Sequence, residues 1–358
     1  MLTTIIVFIL ILGLLIFVHE FGHFIVAKRA GVKVEEFGFG FPPRIFGIKK
    51  GETIYSLNFL PIGGFVKIHG EEGKPTDKQS PKDSDKRRAF YNKPIGIRAI
   101  ILIAGVTMNL LLAAFLLSLG YWLGLPAMVD DQTTNLEGVR IQITQVVFDS
   151  PASQAGIKMG DIITQFNKVA DMQKFVDEHK GQEITLTIQR GDEVLEKTLV
   201  PRVSHPENEG PLGIALARTA IVSYPWYRAL IMGITSTVNL TWLIMAALGG
   251  LLWQLMMTGR LAIEIAGPVG IFNLTGQAAQ LGFIYLLQLT ALISINLAII
   301  NILPFPALDG GRLLFLAIEK IKGSPVSQKV ERIAHTAGFA ILILLMIAVT
   351  WRDIVRIF

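Results

Sequence analysis

The stretch Phe17-Val18-His19-Glu20-Phe21-Gly22-His23-Phe24 puts two imidazoles and a carboxylate at the end of a segment otherwise suited to lipid, since Leu2 to Val18 is apolar apart from Thr3, Thr4 and Gly13. In a helix, His19 and His23 stand one turn apart on one face, so both reach a single metal ion. Glu20, on a neighbouring face, can touch a water on that ion. The pattern H-E-x-x-H alone is only moderately specific, and in a soluble helix a chance pair of surface histidines competes with it. Here the setting favours metal. An ionisable group at membrane depth costs about 2.5–3.5 kcal/mol on insertion scales, so it reads as functional, with a partner elsewhere in the chain.

Composition supports that setting. Of 358 residues 51% are hydrophobic and only 17% charged, the balance of an integral membrane protein rather than a soluble one. There is no cysteine, which excludes disulfides and thiolate sites, so any zinc or iron must be held by His and carboxylate. The net charge of +5 is modest and its basic residues gather in loops, which suits anionic lipid headgroups; no nucleic-acid motif is present. The N-terminus lacks the basic region and small-residue cleavage site of a signal peptide, and is expected to be retained as a spanning helix.

Outward from the opening stretch, residues 1–31 read as a first transmembrane helix, ending at Lys28, Arg29 and Gly31. Region 32–94 has two characters. Val32 to Phe41 and Thr53 to Ile68 alternate in aromatic and β-branched residues and are punctuated by Pro42, Pro43, Gly51, Pro61, Gly63 and Gly64, which predicts hairpin strands. Glu71 to Lys93 is a polar, weakly ordered loop whose Lys86, Arg87 and Arg88 mark the cytoplasmic side. Residues 95–125 form a second span carrying Gly105, Thr107 and Asn109. An amide in lipid needs a partner: Asn109 either bonds between helices or lines the same polar cavity as the histidines.

Residues 126–204 have the composition of a soluble domain, with strands over Gly138 to Phe148, Ile162 to Asn167 and Glu183 to Gln189 and a short helix opened by Ser150-Pro151. Ser150 to Asn167 resembles the corresponding part of PDZ domains, which bind peptides by adding a strand to a sheet edge; a small β-rich domain without a ligand is the plainer alternative. Segment 205–281 is hydrophobic but interrupted by Arg228, Thr235, Ser236, Thr237, Asn239 and Gln254. Residues 282–311 form a third span that runs into Asn301-Ile302-Leu303-Pro304-Phe305-Pro306-Ala307-Leu308-Asp309-Gly310-Gly311. Two prolines and a Gly-Gly pair are expected to prevent regular helix there. Asp309 is left on irregular backbone, which is tolerated at membrane depth only where it is buried in protein or lines a wet cavity. Residues 312–333 then read as a cytoplasmic helix and 334–358 as a fourth span.

A catalytic zinc takes three protein ligands and a water, so a third ligand must lie at a second embedded position. His69, His179 and His205 sit in polar segments, His335 reads as an interfacial residue opening the last span, and Glu264 lies in a mixed stretch. Asp309 is the best candidate, because it alone combines membrane depth with a helix break that can aim a carboxylate. That choice constrains topology. His23 lies at the cytoplasmic end of the first span, so the PDZ-like domain lies outside and Asp309 must return to the cytoplasmic half. Segment 227–256 is therefore expected to lie along or dip into the outer surface without traversing. The fold expected is an α-helical polytopic membrane protein of four spans, with a membrane-associated β-hairpin region and one inserted PDZ-like α+β domain.

Together His19-Glu20-Phe21-Gly22-His23, Gly105-Val106-Thr107-Met108-Asn109, Gly267-Pro268-Val269-Gly270-Ile271 and Asn301 to Gly310 resemble, in order and spacing, the bacterial site-2 protease family. These are zinc intramembrane proteases. The resemblance implies Zn2+ held by His19, His23 and Asp309, Glu20 as general base, and substrate-handling roles for Asn109 and Asn301. It also implies a re-entrant β-hairpin, like the one read over Val32 to Ile68, whose edge can hold an unwound substrate; Gly63 and Gly64 are assigned to substrate binding there. Family substrates are single-span proteins already cut on the outer face, such as anti-sigma factors, and remnant signal peptides. The implied place is the bacterial inner membrane, with the active site near the cytoplasmic side. This chain departs from the two-PDZ members in having one such domain, and has Val106 where a proline is common. A non-catalytic peptide-capturing scaffold fits less well, because the full set of His19, Glu20, His23 and Asp309 is present. A metal transporter leaves Glu20 and the outer domain unexplained.

Overall fold

The computed structural model describes residues 2–71, 86–129, 138–191, 193–206, 209–259 and 267–357. Most of the charged loop after Glu71 lies outside the described residues, as does Glu264. In chain order the elements are α1 (Leu2–Arg29), β1 (Val34–Lys50), β2 (Thr53–Ile68), α2 (Ile95–Leu123), β3 (Leu125–Met128), β4 (Arg140–Val146), α3 (Pro151–Gln154), β5 (Ile162–Ile163), α4 (Val169–Glu178), β6 (Ile184–Arg190), β7 (Glu193–Leu199), β8 (Ile214–Val222), α5 (Trp226–Thr258), α6 (Pro268–Leu281), α7 (Phe283–Ile302), α8 (Asp309–Lys322) and α9 (Gln328–Ile357). They divide into two compact units. One takes residues 1–117, 232–276 and 289–358, and the other takes 118–231 and 277–288.

Five of the described helices, α1, α2, α5, α7 and α9, are long and apolar enough to cross a membrane; the chain is a polytopic membrane protein with a β-rich part. α5 is the helix that the sequence lays on the outer surface. In the first unit, α1 is apolar all round, yet Ile11, Leu15, His19, His23 and Ala27 are buried at every fourth position, a ridge facing protein while the remaining sides face out. α2 packs on that ridge where glycines meet. A Cβ on Gly22 would stand 2.7 Å from Met108 Cγ and closer still to the Ala104 carbonyl, so small residues set the helix approach, as is usual in membranes.

The hairpin after α1 is folded more tightly than two strands. Val34 to Phe39 is flanked on both sides: Phe37 pairs with Val66 on one edge and Tyr55 on the other, and Ile54 to Leu57 in turn faces Phe46 to Lys49. β1 runs on through Pro42 and Pro43 to Lys50, beyond the expected end at Phe41. The register shifts between Phe41 and Arg44, so the prolines sit at an irregularity that needs no N–H from them. Phe37 stacks its ring near Phe17 and Phe24 of α1, at 5.4 and 4.8 Å. Lys28 and Arg88 close on Glu52 at the hairpin turn.

The second unit holds an antiparallel sheet of order β3-β8-β4-β5-β6-β7. β4 and β6 alternate buried and less buried residues, and Ile141, Ile143, Leu186 and Ile188 meet Met172 and Val176 of α4 in its core. Ser150 caps α3 by accepting the Ser153 N–H at 3.2 Å. β8 lies between β3 and β4, so this sheet draws on chain beyond residue 204.

Candidate metal centre

His19 and His23 lie near the C-terminal end of α1, both 6% exposed. Asp309 arrives from the far end of the sequence. α7 stops at Ile302, Pro304 and Pro306 hold the following residues out of helix, and Asp309 opens α8. The Gly-Gly pair does not break that helix, contrary to the sequence expectation; it lies inside the first turn of α8. Its purpose is close approach: a Cβ on Gly310 would stand 2.4 Å or less from the Ile302 and Leu303 backbone, and one on Gly311 2.9 Å from Pro306 Cα. The loop thus folds back on its own helix and points the carboxylate inward.

The result is three ligand atoms converging. Asp309 Oδ2 is 3.0 Å from His19 Nε2 and 3.3 Å from His23 Nε2, and the two nitrogens are 3.2 Å apart. Donors at 2.0–2.1 Å from one ion at tetrahedral angles stand about 3.3 Å apart, so these separations fit the edges of one tetrahedral face. Among the described residues this is the one His, Cys, Asp or Glu group of three with that property. Other histidines are engaged elsewhere: His69 with Glu35 and His179 with the Phe175 carbonyl.

The neighbours fix the imidazoles in the tautomer a metal needs. His23 Nδ1–H donates to the Ile101 carbonyl at 2.8 Å, leaving Nε2 with its lone pair. His19 Nδ1 is 3.2 Å from the side-chain amide of wholly buried Asn109, whose Oδ1 has no partner among the described residues. Amide oxygen and nitrogen exchange by a half-turn. With the oxygen towards His19, Nδ1–H donates to it and Nε2 keeps its lone pair. The Asn109 carbonyl in turn accepts from Ser294 Oγ of α7 at 2.8 Å, so α1, α2 and α7 are bonded at one level. Gly105 completes the fit, because a Cβ there would lie 2.7 Å from His19 Cε1.

A cavity of about 360 Å³ belongs to the second unit, but the one at the metal group is smaller, about 220 Å³, lined by Ile16, His19, Glu20, Leu297, Asn301, Ala307, Leu308 and Asp309. Glu20 therefore faces the same space as the ligands, and its Oε2 accepts the Val66 N–H of β2 at 3.1 Å. Asn301 Nδ2 is 3.5 Å from His19 Nε2. Asn109 does not line that cavity. Nor do Gly63 and Gly64, which are buried where β2 passes β1; a Cβ on Gly64 would be 2.8 Å from the Gly38 carbonyl.

Residues 7–345 match the peptidase family M50. The chain belongs to that family. Among its relatives, the zinc metalloprotease RasP of Oceanobacillus iheyensis is 33% identical over 99% of this chain and 100% of its own length. A putative zinc metalloprotease of Clostridium acetobutylicum is 37% identical over 98% and 97%, and the regulator of sigma-W protease RasP of Bacillus subtilis is 32% identical over 99% of each. His19 of the H-E-x-x-H stretch and Asp309 meet across 290 residues. The Gly267-Pro268-Val269-Gly270 motif, whose part in the fold the sequence alone does not show, also finds its place. Gly270 N–H donates to Asp353 Oδ2 of α9 at 2.8 Å, so the motif seats the start of α6 on the last helix. The Asp353 carboxylate was the missed partner, and nothing local in the sequence marks it.

Proposed function

We propose that this M50 peptidase is a zinc-dependent intramembrane endopeptidase that cuts within the transmembrane segments of single-span proteins already shortened on the outer face, anti-sigma factors and remnant signal peptides being the expected classes. The observation that carries it is the convergence of His19, His23 and Asp309 on one point, with Glu20 facing the same cavity. His19, His23 and Asp309 hold the metal. Zinc held by them would supply polarisation of the scissile carbonyl and a lowered pKa of a water. Glu20 accepts the proton of the attacking water and returns it to the leaving amine. Asn109 orients His19, and Asn301, on the cavity wall, donates to the substrate.

Backbone in lipid keeps its amides bonded internally, so a helical substrate must unwind before its carbonyl enters the cavity. The segment of β2 around Gly63, Gly64 and Val66 offers the nearest sheet edge, and an incoming strand there competes with Glu20 for the Val66 N–H. The sheet domain of residues 126–204, joined by β8, is read as the PDZ-like domain on the outer face. There, the edge of β8 at Ile214 to Leu216 that faces away from β4, beyond the stretch paired with β3, and α4 at Met172 and Val176 border the 360 Å³ groove, a place for an extended peptide.

Four spans, with both termini outside, remain the reading, and chain length supports it. His335, beside the metal loop, and Asp353, beside α6, are about 27 Å apart along α9. If α5 crossed inward, the nine Cα–Cα steps from Thr258 to Gly267 would have to recover nearly that whole depth. Their maximum reach is about 31 Å, as bare strand in hydrocarbon. α5 lying along the outer surface avoids this.

The test is cleavage of single-span substrates, full-length or truncated outside, by the purified chain and by Glu20→Gln in detergent. The parent should cut truncated forms best and Glu20→Gln should cut none while keeping its zinc; a variant as active as the parent would end the general-base assignment.

A further inference from the structure

The loop that aims Asp309 contains one residue out of its ordinary conformation. Ala307 has φ of 83°, in the left-handed region that a residue with a Cβ enters only when its surroundings hold it there. Its N–H donates to His335 Nδ1 at 2.9 Å. Three residues further along α9, Gly338 lies against the same loop: a Cβ there would be 2.8 Å from Pro306 Cβ and nearer still to the Pro306 carbonyl. The His335 ring stands 5.7 Å from that of Phe315. Because Nδ1 accepts, the ring proton sits on Nε2, which has no hydrogen-bond partner among the described residues and is 3.9 Å from Glu331 Oε1. The Ala307 N–H is thus the bond that seats this imidazole.

We propose that His335 is a positioning residue, which holds Ala307 in its left-handed conformation and thereby keeps the Asp309 carboxylate against His19 and His23. The inference rests on Asp309 being a metal ligand. Without the acceptor, the N–H is left unpaired in a half-buried loop, Ala307 relaxes towards right-handed backbone, and Leu308 and Asp309 turn with it.

Zinc affinity of the purified full chain in detergent, measured by competition with a chelating dye, tests this directly. Asp309→Ala should weaken zinc by about 100-fold and His335→Ala by about 10-fold, in the range of outer-shell substitutions. His335→Gln, whose amide oxygen can accept the same N–H, should stay within about threefold of the parent. In an Ala307→Gly background the cost of His335→Ala should fall to about threefold or less, because glycine takes this φ without strain. Retained affinity in His335→Ala, beside a weakened Asp309→Ala, overturns the proposal. So does an equal loss in His335→Ala and His335→Gln, or a His335→Ala cost unchanged by Ala307→Gly. Retained affinity in Asp309→Ala would instead remove the ligand assignment on which it stands.

Discussion

Adding a single methyl group at Gly105 should empty the metal centre. The Cβ of Gly105→Ala would sit 2.7 Å from His19 Cε1 and from His23 Cε1, with His23 Nε2 nearer still, where ordinary contact begins at 3.4 Å. The rings would have to retreat by at least about 0.7 Å, and that of His23 further. Neither is free to do so: His23 is tied to the Ile101 carbonyl and His19 to Asn109. α1 is itself pressed on α2 through Gly22. Metal–ligand distances tolerate about 0.2 Å, so the displacement exceeds the tolerance several times over. We expect zinc affinity to fall by about 100-fold, the upper end for changes outside the ligands themselves, and cleavage to fall with it. Gly96→Ala, in the first turn of α2, is the control, since a Cβ there meets nothing within 4 Å; it should keep both zinc and activity. Zinc per chain after dialysis and cleavage of a truncated single-span substrate read the outcome. One zinc per chain in Gly105→Ala, with cleavage close to the parent, would refute the packing argument.

Two further outcomes follow from groups around the site. Asn109→Asp keeps an oxygen for His19 Nδ1–H and should bind zinc within about threefold of the parent, whereas Asn109→Leu should lose about 10- to 100-fold, both read by dye competition; equal loss in the two would mean that Asn109 does not orient His19. At the hairpin turn, the bidentate Arg88 guanidinium and the Lys28 ammonium pull the Glu52 carboxyl down from its ordinary 4.5 to about 2. The folded state favours its charged form, so the stability it lends is complete above about 4.5 and is lost as pH falls towards about 2. Glu52→Gln should therefore lower the thermal midpoint by about 2 °C at pH 7. That gap should hold to pH 5 and narrow below it, and a gap that widened on acidification would contradict the assignment.

The three residues that converge were legible as candidate ligands in the sequence because each leaves a local mark: two histidines four apart after an apolar run, and an aspartate behind two prolines. Which helix faces meet left no such mark. α1, α2 and α7 are apolar on every side, since a lipid-facing leucine and a protein-facing one look alike, and the periodicity that would locate a buried face in water is missing. The same loss hid Asp353 and His335, both on α9, where His335 read as an interfacial histidine although it braces Ala307. Gly310 and Gly311 were legible as unusual but misread as breakers. In the second unit the alternation of β4 and β6 was plain, but β8 follows a run rich in proline and glycine, so its place in the sheet was not.

What the hidden contacts share explains how the proposed metal centre would persist in lipid. Each ligand would be a polar group in hydrocarbon, acceptable only if its remaining hydrogen-bonding capacity is met within the protein. The partners are often backbone groups: the Ile101 carbonyl for His23, the Val66 N–H for Glu20, and the Ala307 N–H for His335. Backbone can serve only if helices and loops come closer than ordinary side chains allow. The glycines at 22, 105, 310, 311 and 338 lie at those approaches, each with a neighbouring atom under 3.0 Å from where its Cβ would be. The glycines therefore belong to the proposed metal centre as much as its candidate ligands do, which is why a methyl group at Gly105 is expected to cost more than the loss of many larger side chains.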